Sequence, residues 1–382
     1  MTSAPPGPRT VTRVVISGYY GFGNAGDEAV LAGILDALRS HLPNADVVVL
    51  SGNPTQTHRL HGVKATSRIT GALRTLPGAD LFISGGGSLI QDVTSARSAL
   101  YYLGLLGLAT VLAKATVVYA QGVGPLRRGW VRVLARLILA RTTLITVRDE
   151  DSISVLKGLR IVRPVHLVAD PAFVLAPTPA AQIQDVIGPP HTRRIGVAIR
   201  SWRDDAFVDA LVEGLRAARR RIGETEIVVL ALHPERDLVL CTRVAQDVGG
   251  RVLAGLSPRD LMAVVGTMDL LVGGRLHALI ASVLMGVPPI GLSYDPKIDG
   301  FVRRIGMGRP LSLAGLRSDD LCDAVCATWE ERETLRPRLR EHAVALREGA
   351  LRAAGLTRAL LVSPHEAPAR RGNGRMRPPK KR

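Results

Sequence analysis

The sequence has 382 residues, 46% of them apolar, with 50 Lys or Arg against 33 Asp or Glu and a formal net charge of +17. That length exceeds what one ordinary hydrophobic core organises, so two domains are expected, and the charge asks for an anionic partner. Aromatic residues are only 4%, with no helix-turn-helix or zinc spacing and no stacking platform among the basic residues, which argues against nucleic acid as that partner. Cys241, Cys322 and Cys326 form no Cys-x-x-Cys pair, and the first dozen residues lack a signal-peptide apolar core; both features predict the cytoplasm. The longest apolar run, Ala99 to Ala113, is shorter than the ~20 residues of a membrane span. It predicts a buried helix and leaves peripheral contact with an anionic membrane open.

Residues 1–12 read as a disordered lead. A strand over Val14 to Ser17 then enters the glycine-rich stretch Gly18 to Glu28, which starts a helix running to Arg39. Gly21, Gly23 and Gly26 satisfy the spacing G-x-G-x-x-G in a strand-to-helix context. A dinucleotide is nonetheless disfavoured. Asp27 and Glu28 put negative charge where a pyrophosphate would rest, and the next strand, Asp46 to Leu50, ends in Ser51 instead of a ribose-binding acid. The stretch is read as a substrate loop with Asn24 and Asp27 facing sugar hydroxyls, the alternative being that Asp27 only caps its helix.

A helix near Ser67 to Leu76 leads to strand Leu81 to Ser84 and to Gly85, Gly86 and Gly87, whose bare amides are expected to approach a ligand. After the apolar helix, a strand over Thr116 to Ala120 ends in Gln121, a candidate substrate contact, a helix covers Trp130 to Arg141, and strand Leu144 to Val147 ends at Arg148. An arginine at the end of a parallel strand stands at the ligand-binding edge, so Arg148 is a candidate fork for a carboxylate or phosphate unless Asp149 or Glu150 engages it. Strand Val165 to Val168 and Asp170-Pro171 close a first domain, 13–175; residues 176–192 read as a hinge, and 193–362 as a second strand-helix series with Arg200, Trp202 and His233 at strand ends, His233 ahead of Pro234 being read as a turn cap. Two final helices are expected, near Ser318 to Arg332 and Leu335 to Ala354, the latter returning across the hinge, and 363–382 reads as a flexible basic tail.

The stretch that organises the rest begins at Asp269. Leu270 to Val272 predict a buried strand, Gly273 and Gly274 a sharp turn, and Leu276, Leu279, Ile280, Val283 and Leu284 a helical apolar stripe. The first amides of such a helix lack partners and sit at the positive end of its dipole, an anion site that Gly274 and Arg275 would line. The following strand, Pro289 to Leu292, leads to Tyr294 and Lys297 at the same edge, so Lys297 is expected to approach His277. The result is a cationic pocket around one imidazole, with a satisfied structural histidine as the plainer alternative. Asp269-Leu270-Leu271-Val272-Gly273-Gly274 also echoes Asp80-Leu81-Phe82-Ile83-Ser84-Gly85, a hint of two halves with one architecture.

Taken together, Gly18 to Glu28, Ser84 to Ser88, Gln121 to Pro125, Val147 to Glu150, Asp170-Pro171, Gly273 to Ala278 and Tyr294 to Lys297 resemble the bacterial polysaccharide pyruvyl transferases of CsaB type, over about Val14 to Arg304. The resemblance implies an α/β fold of GT-B type, two Rossmann-type domains with parallel sheets facing a central cleft. It implies pyruvyl transfer from phosphoenolpyruvate to an N-acetylmannosamine-type sugar on a lipid-linked precursor of a secondary cell-wall polymer, forming a 4,6-ketal of the kind read by S-layer homology domains. Arg148, His277 and Lys297 carry over as catalytic residues, with His277 as a general acid/base of pKa near neutrality. Phosphoenolpyruvate enters as co-substrate, and no cofactor and no metal are expected, since no metal-ligand spacing appears. A nucleotide-sugar glycosyltransferase, a dinucleotide oxidoreductase and a non-catalytic cell-wall protein stay as alternatives.

Overall fold

The computed structural model describes residues 11–93, 95–188 and 193–362; the first ten residues of the expected lead, the last four of the expected hinge and the basic tail lie outside the described residues. The first part of the chain runs β1 (Arg13–Ser17), α1 (Ala25–His41), β2 (Asp46–Ser51), α2 (Pro54–His61), β3 (Lys64–Ser67), α3 (Thr70–Thr75), β4 (Leu81–Ser84), β5 (Gly87–Ile90), α4 (Ala96–Leu112), β6 (Ala115–Val123), α5 (Gly129–Leu139), β7 (Leu144–Val147), α6 (Glu150–Gly158) and β8 (Val165–Leu167). These strands form one parallel sheet in the order β3-β2-β1-β4-β6-β7-β8, with β5 also paired to β6. Val14, Val15 and Ile16 are all buried because helices cover both faces, so the strand reads as a continuous apolar run without alternation. On one face α3, α4 and α5 share a core through Leu76, Leu103, Leu106, Val131 and Ala135. On the other lies α1, whose Asn24 cap, acidic first turn and basic last turn suit a helix dipole.

The second part runs α7 (Gln184–Ile187), β9 (Arg194–Ala198), α8 (Val208–Ile222), β10 (Glu226–Ala231), α9 (Pro234–Val248), β11 (Arg251–Ala254), α10 (Pro258–Val265), β12 (Leu270–Gly273), α11 (Leu276–Leu284), β13 (Pro289–Ser293), α12 (Pro296–Arg304), β14 (Leu311–Ser312) and α13 (Ser318–Val362). Its sheet is parallel in the order β11-β10-β9-β12-β13-β14. The echoed segments occupy equivalent places, since β4 flanks β1 as β12 flanks β9. Even the leading aspartates correspond: Asp80 accepts from the Arg13 amide at 2.8 Å, and Asp269 from the Arg194 amide at 2.9 Å. In both sheets the strand order reverses beside the first strand, and crevices for ligands open at the carboxyl ends there.

Two local expectations are corrected. The two final helices are one, α13, 45 residues long with Pro337 inside it. A proline removes one helical hydrogen bond, but packing on both sides of it holds the helix together. Leu321, Cys322, Val325 and Trp329 join the core of the second sheet, while Leu339, Ala343, Leu346 and Ala350 join a core shared with α1 and Phe173. Likewise Asp295-Pro296-Lys297 is a helix start and not an open loop end: the Asp295 carboxylate accepts from the Lys297 amide and Pro296 takes the first helical position.

Candidate active site

The carboxyl ends of the two sheets face one another across a cleft of about 920 Å³. Arg148, at the end of β7, and Asp170, just after β8, meet there, with the guanidinium donating to Asp170 Oδ2 at 2.5 Å and to Ser88 Oγ at 3.0 Å. Asp149, the partner suspected from sequence, is only at 3.8 Å. Arg148 and Asp170 are 7% and 4% exposed, and the other Asp170 oxygen accepts from the Ala172 amide. Arg304 crosses from the second domain to donate to the Arg148 carbonyl at 2.6 Å. The pair is therefore buried and braced from both sides, the condition under which removing one partner is costly.

His277 arrives from the first turn of α11. Its Nε2 lies 3.8 Å from Asp170 Oδ2 and has no hydrogen-bond partner among the described residues. The other side of the ring lies against Gly26 in the first turn of α1, where a methyl group would overlap Nδ1. Glycine at 26 thus serves the approach of His277 across the domain boundary. Gly21 of that spacing is also occupied with structure. The Gly21 amide donates to Glu28 Oε1 at 2.8 Å, and the α1 terminus donates through Ala25 to Leu232 of the second domain at 2.8 Å. These amides are not open to a pyrophosphate.

Burial lowers the His277 imidazole from 6.5 to about 4; Asp170 opposes this, and Arg148, Lys297 and Arg275 add to it. A general acid/base with a near-neutral pKa is therefore corrected to an imidazole that is neutral at pH 7. The side chain near neutrality is Asp27, raised from 3.8 to about 7 by burial and by the neighbouring Glu28 charge, against the Asn24 hydrogen bond and the charges of Arg148 and Lys297. Asn24 caps α1 through the Gly26 amide and donates its side-chain amide to Asp27. Both line the cleft, as does Gly87, whose φ of +92° only glycine adopts easily and whose α-carbon faces Asp27.

Lys297, a third exposed, has its Nζ 3.3 Å from Asp295, and its charge reaches both His277 and Asp27. Arg200 donates to the Tyr294 hydroxyl at 3.5 Å and lies over its ring. Arg275 lines the cleft but is tied to the buried Asp237. Four sequence expectations are corrected. Gln121 is fully buried and donates to the Ser84 carbonyl, the Ser84 hydroxyl and the Gly85 carbonyl, holding the end of β4 in place. The Gly85 amide donates to the Ser17 carbonyl at 2.7 Å, and neither Gly85, packed on the Tyr20 hydroxyl, nor Gly86, packed on Val30, lines the cleft. The Gly274 amide donates to the Ala198 carbonyl at 2.8 Å. His233, buried beside α9, lends its backbone amide to Asp237, and its ring caps nothing.

Sequence reasoning passed over Ser88, Arg236 and Arg304, gave no role to Asp170 and missed the pair Tyr19 and Tyr102. The signal for Arg236 and Arg304 was their position in a helix directly after a strand of the second sheet. Tyr19 stacks on Phe22 with centroids 4.4 Å apart, and Arg236 reaches its hydroxyl at 3.4 Å, giving the first-domain wall an aromatic side. Seven arginines or lysines against five aspartates line the cleft, which favours an anionic ligand; the mixture of fork-shaped guanidiniums and one lysine suits a molecule bearing both carboxylate and phosphate.

A family model described as polysaccharide pyruvyl transferase matches residues 24–296 of the chain. Among solved structures, Anabaena HepE in complex with UDP and glucose is similar at a TM-score of 0.62 and 12% identity, covering 92% of this chain and 99% of that one. The UDP-GlcNAc 2-epimerase from Neisseria meningitidis bound to UDP-GlcNAc is similar at a TM-score of 0.59 and 12% identity, covering 92% and 100%. At such identities the likeness is one of fold, the two-domain GT-B arrangement.

Proposed function

The chain belongs to the polysaccharide pyruvyl transferase family, and on that premise we propose that it transfers pyruvate from phosphoenolpyruvate to an N-acetylmannosamine-type sugar of a lipid-linked cell-wall polymer precursor. The product is a 4,6-pyruvate ketal, made at the cytoplasmic face of the membrane, with release of phosphate. The observation that carries this reading is the buried cluster Arg148–Asp170–His277, with Lys297 and Arg304 beside it, between the carboxyl ends of the two sheets.

In this reading Arg148 and Lys297 hold the carboxylate and phosphate, and Asp170 fixes Arg148 and faces His277. Anionic groups beside His277 favour its charged form, raising its pKa from about 4 toward neutrality and enabling the imidazolium to protonate the enol carbon. The resulting oxocarbenium-like centre is attacked by one sugar hydroxyl; the carbon–oxygen bond to phosphate then breaks, and the second hydroxyl closes the ring. Of the two hydroxyl protons, one ends on the new methyl group and the other on phosphate. Asp27, about half ionised near pH 7, is the base for the attacking hydroxyl, and Tyr19 offers an aromatic edge to the sugar.

The test is phosphate release from phosphoenolpyruvate with and without a disaccharide containing N-acetylmannosamine, wild type beside His277→Ala. Acceptor-dependent release that collapses in the variant, with a product heavier by one ketal-linked pyruvate, supports the reading. A second reading, a GT-B glycosyltransferase using a nucleotide sugar, is favoured by the uridine nucleotides in HepE and in the epimerase. No phosphate release, together with tight binding of UDP, would move the assignment there.

A further inference from the structure

The helical layer α3–α4–α5 on the first sheet shows a second feature, separate from the cleft. From Val93 to Arg148 the sequence holds eight Arg or Lys and no Asp or Glu across 56 residues. Within that stretch α5 is apolar on opposite sides. Val131, Ala135 and Leu139 are buried on the core, and Trp130, Val133 and Leu137, at helical spacing on the outer side, are 50%, 60% and 51% exposed. Arg132 and Arg136 flank that outer stripe and are exposed too.

The neighbouring helices continue the surface. Gly107 lets α4 lie against Ile138 of α5, and the Tyr101 hydroxyl of α4 donates to the Arg68 carbonyl ahead of α3. Leu100 and Val111 on α4, and Ile69 and Leu73 around α3, are exposed as well. In a globular helix the side opposite the core is ordinarily polar, and an extended apolar surface set among cations marks a binding face. Arginines beside an exposed tryptophan and aliphatic side chains fit the boundary of a bilayer with acidic headgroups, where the rings and methyl groups enter and the guanidiniums meet phosphate.

We propose that the outer face of α3, α4 and α5 docks on an anionic lipid bilayer. No helix among the described residues is long and apolar enough to cross a membrane, so the contact is peripheral. The face reaches the rim of the cleft, since Ser95 and Ser98 at the start of α4 and Arg127 just before α5 line it. An amphiphilic substrate lying in the same bilayer would meet the cleft at that rim, a consequence that rests on the reaction proposed above; the docking itself does not.

The experiment is co-sedimentation of the full chain with vesicles of phosphatidylcholine, with or without phosphatidylglycerol, keeping the basic tail in every variant. Wild type should bind only the phosphatidylglycerol vesicles, with a blue shift of tryptophan emission that Trp130→Phe removes. Replacing Trp130, Val133 and Leu137 together by serine, at exposed sites that the fold does not need, should weaken binding about tenfold or more. Arg132→Gln with Arg136→Gln should weaken it about 25-fold at low salt, from about fivefold per arginine. Failure of the wild type to bind, or equal binding by the serine variant, overturns the proposal, the latter assigning the affinity to the tail. A solution dimer that the serine variant dissolves would reassign the face to a second copy of the chain. Phosphate release with a water-soluble acceptor is unaffected by these changes, so failure here is distinguishable from failure of the proposed reaction.

Discussion

The two sheets share a strand order and the same aspartate-to-amide contact at the start of their central strands, but their carboxyl ends carry opposite chemistry. Of the aspartates lining the cleft, Asp27, Asp149, Asp151 and Asp170 come from the first domain and only Asp295 from the second. Of the cations, Arg200, Arg236, Arg275, Lys297 and Arg304 come from the second, with Arg127 and Arg148 the first domain's exceptions. The architecture sets where ends point and leaves their charge free to diverge. In the proposed reaction one half supplies carboxylates for proton acceptance and orientation, the other positive charge for the anionic substrate.

The largest effect is expected where the halves interlock. Asp170→Ala leaves Arg148 buried without its partner and should cost about 3–5 kcal/mol of stability by urea unfolding, with phosphate release lost. His277→Ala should keep the fold and lower kcat by ~10²–10⁴; a loss below tenfold would return His277 to a structural role. If positive charge from the second domain holds the anion, Lys297→Ala should raise KM for phosphoenolpyruvate by roughly ten- to a hundredfold, the worth of a charged hydrogen bond. An unchanged KM would break the division of labour.

Asp27→Asn sharpens the other half. In wild type kcat/KM should rise with pH through about 7, and this limb should vanish in the variant. Stability gives an independent sign. Since the folded-state pKa is raised, the native protein holds a proton that the unfolded chain has lost, and stability falls as pH climbs from about 4 to about 7. Asp27→Asn should therefore gain roughly a few degrees in Tm at pH 8 and much less at pH 4. The smallest effect is expected for Tyr294→Phe, which loses a long contact to Arg200 but keeps the ring beneath its guanidinium; KM should change less than about threefold.

Much of this arrangement was readable beforehand, for identifiable reasons. Parallel strands buried on both faces leave apolar runs such as Leu144 to Val147, and the side chain that follows this run stands at the ligand edge. Arg148 was therefore visible as a strand-end side chain, and His277 and Lys297 through the first turns that follow β12 and β13. Helix α2 was missed because Leu60 is its one large aliphatic residue and it buries only Thr57, leaving no apolar period; its Asn53 cap and Pro54 start were the available signals. The Arg148–Asp170 pair joins residues 22 apart and depends on where β8 pairs, which composition does not reveal. Gln121 and Gly85 looked like ligand contacts because buried polar groups and bare amides look alike in sequence whether a ligand or the protein's own backbone satisfies them. The low pKa of His277 follows from burial that only the assembled domains create.

Helix α13 alters how the cleft can behave mechanically. At 45 residues it is a rod of roughly 65–70 Å, fastened to the second sheet near Leu321 and Trp329 and to the first near Ala343 and Ala350. A rod clamped at both ends resists any change in the angle between its clamps, so widening the cleft loads the helix in bending. Its softest point is the turn before Pro337, where the Glu333 carbonyl lacks the usual amide donor. Compliance between the two halves is thus concentrated in one helical turn lying between the clamps.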